Sequence, residues 1–266
     1  ISLTGPAGLR ARVLTDDGEW SAMEFADLNG FGVPETQIDE HTYYYQGDYQ
    51  GVQEIAMPTD GTNEVQVILD GANVPGGFVI PAGLELKLAL SNDTDNTVGF
   101  ITGPEATLKV NGDGKVTLEG PDTLVSISNL VVKGGNFKVK TTGVKVDKTP
   151  VVNVLGYVKQ SGGKINVNLE DAGTNLVYGI YVANKDPKDA DDNRLGIIYA
   201  EFSDGTFKAT VGGNKSAALY VEKGSVETTF KDTAAVEADL VGPEARLFNV
   251  GGKLQLKDNT TYVVNC

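Results

Sequence analysis

Among the residues able to do chemistry, carboxylates come closest together in Lys185-Asp-Pro-Lys-Asp-Ala-Asp-Asp-Asn-Arg, which carries Asp186, Asp189, Asp191 and Asp192. Hard oxygen ligands at that density suit calcium, but the calcium loop of an EF-hand needs a central Gly and a terminal Glu, and neither is present. Asp189, Asp191 and Asp192 are the nearest approach to a metal set, and their composition reads as a solvated loop. A second acidic turn, Asn92-Asp-Thr-Asp-Asn, reads the same way. His41 is the one histidine of the chain, so a centre built on several histidines is excluded and a Ser-His-Asp triad has a single base to draw on. No Gly-x-Ser-x-Gly elbow accompanies it, and no phosphate-cradling Gly-x-x-x-x-Gly-Lys-Ser/Thr loop occurs. The one cysteine, Cys266, leaves no internal disulfide and no cysteine-based zinc site. No catalytic residue, resident metal or cofactor is therefore expected, and the protein reads as a non-enzyme.

A different chemistry, that of contact, is suggested by Thr42-Tyr-Tyr-Tyr-Gln-Gly-Asp-Tyr. Tyr43, Tyr44, Tyr45 and Tyr49 combine large apolar rings with polar tips, the composition of a partner-binding surface. A tyrosine-rich strand packed against its own domain has the same composition. These residues lie in a segment of unusual charge. Residues 1–60 hold 11 Asp and Glu against Arg10 and Arg12, a balance of −9 out of the chain's −14, and the first lysine is Lys87. So sharp a break predicts an acidic attachment or capping segment over 1–60, followed by a second region over 61–266. Phosphate neutralisation needs clustered Lys and Arg, so nucleic acid is not an expected partner. No apolar run approaches 18 residues, so membrane insertion is not expected either. The chain opens at Ile1 without an initiator methionine or a leader pattern, and the compartment is not legible from that end.

The elements that must carry these residues are strands. From Val65 onward apolar and polar residues alternate, as in Leu84-Glu-Leu-Lys-Leu-Ala-Leu, and Gly-Gly or Asp-Gly pairs separate runs of strand length. The phrases Gly114-Lys-Val-Thr-Leu, Gly163-Lys-Ile-Asn-Val and Gly252-Lys-Leu-Gln-Leu repeat one turn-then-strand unit. Thr102-Gly-Pro-Glu-Ala-Thr-Leu returns as Val241-Gly-Pro-Glu-Ala-Arg-Leu. Repetition of this kind predicts an all-β solenoid over residues 61–266. A short helix is expected around Ser21–Leu28, where Trp20, Met23, Phe25 and Leu28 would share a face.

Val79-Ile-Pro-Ala-Gly-Leu-Glu-Leu-Lys-Leu and Leu130-Val-Val-Lys-Gly-Gly-Asn-Phe-Lys-Val resemble rungs of right-handed parallel β-helix surface proteins, such as phage fibre and spike shafts and bacterial adhesins. Tyr178-Gly-Ile-Tyr-Val and Ala217-Ala-Leu-Tyr-Val look like later rungs of the same kind. The resemblance implies a virion structural protein: a fibre, spike or capsid-surface appendage, attached through its N-terminal segment, displayed on the virion surface and commonly trimeric. Its partners would be other virion or surface proteins and a host glycan or receptor. A bacterial cell-surface or extracellular adhesin is the alternative. A β-helical polysaccharide lyase or hydrolase comes third, and requires paired carboxylates with a Lys or Arg along one face.

Overall fold

The structure is a computed structural model that describes residues 11–14, 20–23, 36–144, 146–183, 199–222 and 227–266, with backbone alone at 11–14, 20–23 and Pro104. Among the described residues the fold is all-β, with 65% strand and no helix, so what positions a side chain there is sheet or turn. No helix among the described residues is long and apolar enough to cross a membrane. The helix expected around Ser21–Leu28 is corrected at its start: Trp20–Met23 is a strand, antiparallel to Ala11–Leu14.

Alternation in sequence becomes alternation in burial. Along Glu85–Leu90, Leu86, Leu88 and Leu90 point inward while Glu85, Lys87 and Ala89 lie on the outer side. The strands pair in parallel with strands two or three places further along the chain, so equivalent inward residues stack. One such column runs Tyr43, Val67, Leu88, Val110, Val132, Gln160, Phe202, Phe230 and Leu256. A second joins Leu118, Val139, Val167, Ala209, Ala238 and Val264, and a third Phe78, Ile101, Val125, Val152, Ile180, Leu219 and Phe248. Most of these side chains have no solvent contact and together form one continuous apolar core. Removing that surface from water is the main favourable term holding the wall together. At the last row the columns emerge, and Leu256 and Val264 are exposed.

The right-handed parallel β-helix expected for 61–266, with its likeness to phage shafts and adhesins, is corrected. The strands form a closed eight-strand parallel barrel with outer strands added, and not a clearly solenoidal coil. The physical reason is that several strands continue through positions expected to be turns. Tyr157–Asp171 passes through Ser161-Gly-Gly without ending, pairing with Val125–Val132 along its first part and with Asn136–Thr142 along its second. Tyr199–Val211 does the same against Glu227–Phe230 and Ala235–Leu240. Neighbouring faces are thereby fused into one sheet of 21 strands.

Glycine permits the bend. Gly163 and Gly205 both have positive φ, and a Cβ on Gly205 would stand 2.3 Å from the Gly163 carbonyl oxygen. Neither the backbone angle nor the space tolerates a side chain there. The acidic N-terminal segment also contributes to the wall: Gln37–Asp39, Thr42–Asp48 and Gln53–Glu54 belong to the same sheet.

Candidate functional surface

The tyrosines of Thr42–Asp48 face the interior more than the solvent. Tyr43, Tyr44, Tyr45 and Tyr49 are all buried. Tyr45 meets the edges of Tyr49 and Phe78, with ring centroids 4.8 and 5.2 Å away. Burial pushes its phenol up to about 12. The tyrosine tips are used internally: the Tyr43 hydroxyl accepts from the Ala56 amide at 3.1 Å, and Tyr44 donates to Asp70 at 2.5 Å. All four expected partner-binding residues are thus buried against the chain's own sheet. A ring with a polar tip suits a wet interface or a core with internal acceptors equally, and here Phe78, Asp70 and the Ala56 amide supply the core.

Of the other expected residues, Asp189, Asp191 and Asp192 lie outside the described residues. The turn Asn92-Asp-Thr-Asp-Asn is structural at its last position. Asn96 is buried, its Oδ1 accepts from the Ala72 amide at 2.8 Å, and its Nδ2 donates to the Lys115 carbonyl at 2.9 Å. One side chain thus links the rows on either side of it.

Three features were not anticipated from the residues alone. The first is an outward tyrosine cluster. Tyr178 and Tyr181 on Val177–Val182 meet Tyr220 on Ala217–Val221, with centroids 4.4 Å apart for Tyr178–Tyr220 and 5.3 Å for Tyr181–Tyr220. In register, the row reads Asn153, Tyr181, Tyr220, Asn249. Tyr181 donates to Glu222, and burial with that carboxylate raises its phenol above the usual range. The signal available in the sequence was the echo of Tyr178-Gly-Ile-Tyr-Val in Ala217-Ala-Leu-Tyr-Val, which places a tyrosine at equivalent points of consecutive rows.

The second feature is the convergence of Glu40, His41 and Asp60, whose ligand-capable atoms lie within 4.8 Å of one another. Asp60 lies in the turn before Glu64–Val74, two strands further along the chain than His41, and the pairing of that strand with Thr42–Asp48 brings the two together. A lone histidine beside acids in a stretch without lysine was the only hint.

The third is the pattern of outer charges. Glu64 pairs with Lys87 and Glu85 with Lys109. Further along, Glu119 pairs with Lys140 at 2.9 Å, and Glu201 is shared by Lys159 at 3.6 Å and Lys231 at 3.1 Å. Each of these pairs joins one row of strands to the next. The Lys140 ammonium is held protonated above its ordinary range by its hydrogen bond to Glu119 and by that charge. Of these carboxylates, Glu64 is stabilised as an anion by its hydrogen bond from Lys87, the direction opposite to the one an acid catalyst needs.

No protein-family model, no curated protein and no solved structure matches this chain.

Proposed function

We propose that the protein is a non-enzymatic structural component of a larger particle, a virion fibre, spike or capsid-surface appendage being the leading case. The observation that carries this reading is the direction of the surface ion pairs. The pairs Glu64–Lys87, Glu85–Lys109, Glu119–Lys140 and Lys159–Glu201–Lys231 run between rows, the same direction as the backbone hydrogen bonds of the parallel wall. A single exposed pair contributes little, about 0–1 kcal/mol. Repeated along the wall, such pairs favour one register and keep the outer face polar, which opposes unwanted edge and face association. That investment suits a stiff element displayed in solvent better than a carved active site. Sedimentation of material from the native source provides the test. Recovery of the chain in the particle fraction supports this reading, and recovery as a free soluble species or with a cell envelope overturns it.

A second reading, a cell-surface protein with a ligand-binding face, is favoured by Tyr178, Tyr181 and Tyr220. Three outward rings flanked by Asn153 and Asn249 offer apolar area beside amide donors and acceptors, the chemistry that suits a glycan. Binding on a glycan array that disappears in Tyr220→Ala, with the fold intact by circular dichroism, would move this reading to first place.

A further inference from the structure

We propose that Glu40, His41 and Asp60 form a binding site for a divalent transition-metal ion, with zinc as the best-fitting class. Zinc bonds to histidine nitrogen and carboxylate oxygen are about 2.0–2.2 Å long, and in a tetrahedral site this sets neighbouring ligand atoms about 3.3–3.6 Å apart. His41 Nε2 stands 3.2 Å from Asp60 Oδ2 and 3.8 Å from Glu40 Oε1. All three ligand atoms lie within 4.8 Å of one another, so small side-chain rotations bring them around one ion. All three side chains are partly exposed, which leaves room for water at the remaining position.

The far atom of each ligand is held in place. Glu40 Oε2 accepts from the Thr59 amide at 2.9 Å and from its hydroxyl at 2.7 Å. Asp60 Oδ1 accepts from the Thr62 amide at 2.9 Å and from its hydroxyl at 2.8 Å. On the imidazole, Nδ1 lies 3.4 Å from the Glu64 carbonyl oxygen and 3.4 Å from the Thr62 hydroxyl. A proton on Nδ1 directed at that carbonyl leaves Nε2 as the ligand nitrogen, the usual outer-shell arrangement of a metal-binding histidine.

Charge supplies an argument independent of this geometry. No Lys or Arg occurs between Arg12 and Lys87, and Lys87 is paired with Glu64. Asp39 adds a further carboxylate at the same place by accepting from the His41 amide at 2.7 Å. Nε2 faces carboxylate oxygens of Asp60 and Glu40, a place that favours a positive charge, either a proton or a metal ion. A proton balances one of the two facing carboxylates and a divalent cation balances both. The imidazole nitrogen selects against calcium and magnesium, which take oxygen ligands. Because the metal displaces a proton, binding weakens as pH falls.

The chain contains one histidine, so its imidazole resonances report on this site alone. The test is a zinc chloride titration of the full chain near neutral pH, followed by long-range proton–nitrogen correlation. A Cys266→Ser background removes the exposed thiol as a competing ligand. The expected result is a saturable shift at His41 Nε2 that calcium does not reproduce. Thr59→Val keeps all three ligands and should weaken zinc binding about 10-fold by removing one of the two hydrogen bonds that hold the Glu40 carboxylate. His41→Gln should abolish the site, with melting curves showing that each variant is folded. Imidazole signals unmoved by millimolar zinc, or equal zinc affinities for the parent and His41→Gln, would overturn the proposal and leave His41 in contact with its neighbouring carboxylates only.

Discussion

Phe202 and Phe230 lie face to face in the core, with ring centroids 4.4 Å apart and planes 4° from parallel. They are register partners on neighbouring parallel strands, so the ring spacing repeats the strand spacing. Phe207 meets both rings edge-on and Phe248 continues the cluster at 4.9 Å from Phe230. Phe230 has no solvent contact. Phe230→Ala therefore removes a full ring from a packed stack and is expected to cost about 3–5 kcal/mol. Phe230→Leu should cost distinctly less. Urea unfolding of the two variants checks the order, and equal losses would mean that the site collapses around the deletion.

Asn96 links two rows through Ala72 and Lys115. Asn96→Ala removes the acceptor of the buried Ala72 amide and a donor to the Lys115 carbonyl, a loss of about 1–3 kcal/mol. Amide exchange at Ala72 should rise in the variant by more than the global stability change explains, because the opened bond is local.

Gly205 combines a φ of +82° with backbone contact at the place a Cβ would occupy. Gly205→Ala is expected to destabilise by about 1–3 kcal/mol through left-handed strain and the forced separation of the rows. Gly173 also has positive φ but open space around it, so Gly173→Ala should carry the backbone penalty alone. Parallel denaturant curves of the two variants separate strain from crowding.

Tyr45 gives the wall an alkaline limit. Burial raises its folded-state pKa to about 12 from the usual value of 10.0. Between those values the folded chain keeps the phenol proton and the unfolded chain loses it, so stability falls as pH rises through that window. At 1.36 kcal/mol per unit the loss approaches about 2–3 kcal/mol. Tyr45→Phe should reduce the slope of stability against pH above about pH 10. An unchanged slope would assign the alkaline transition to other tyrosines.

Much of the wall was legible because period-2 alternation has a direct physical meaning. Leu86, Leu88 and Leu90 point one way in any strand, and burial of that face follows. Closure into one fused sheet was not legible. Ser161-Gly-Gly has the composition of a turn, yet parallel pairing on both sides carries the strand through it. The tyrosines at 43–45 were ambiguous for the same reason that makes tyrosine useful, since ring and hydroxyl fit either a wet interface or a core with acceptors. The outer cluster joins Tyr181 to a tyrosine of the next row, and the acidic site joins His41 to Asp60. Both depend on register, which alternation alone does not encode.

The particle reading is tested most directly by electron microscopy of sedimented native material labelled with a gold-conjugated antibody against this chain. The account predicts gold at regularly spaced positions on a defined particle surface. Label confined to cell envelope, or absent from particles while the chain remains in the soluble fraction, would contradict it.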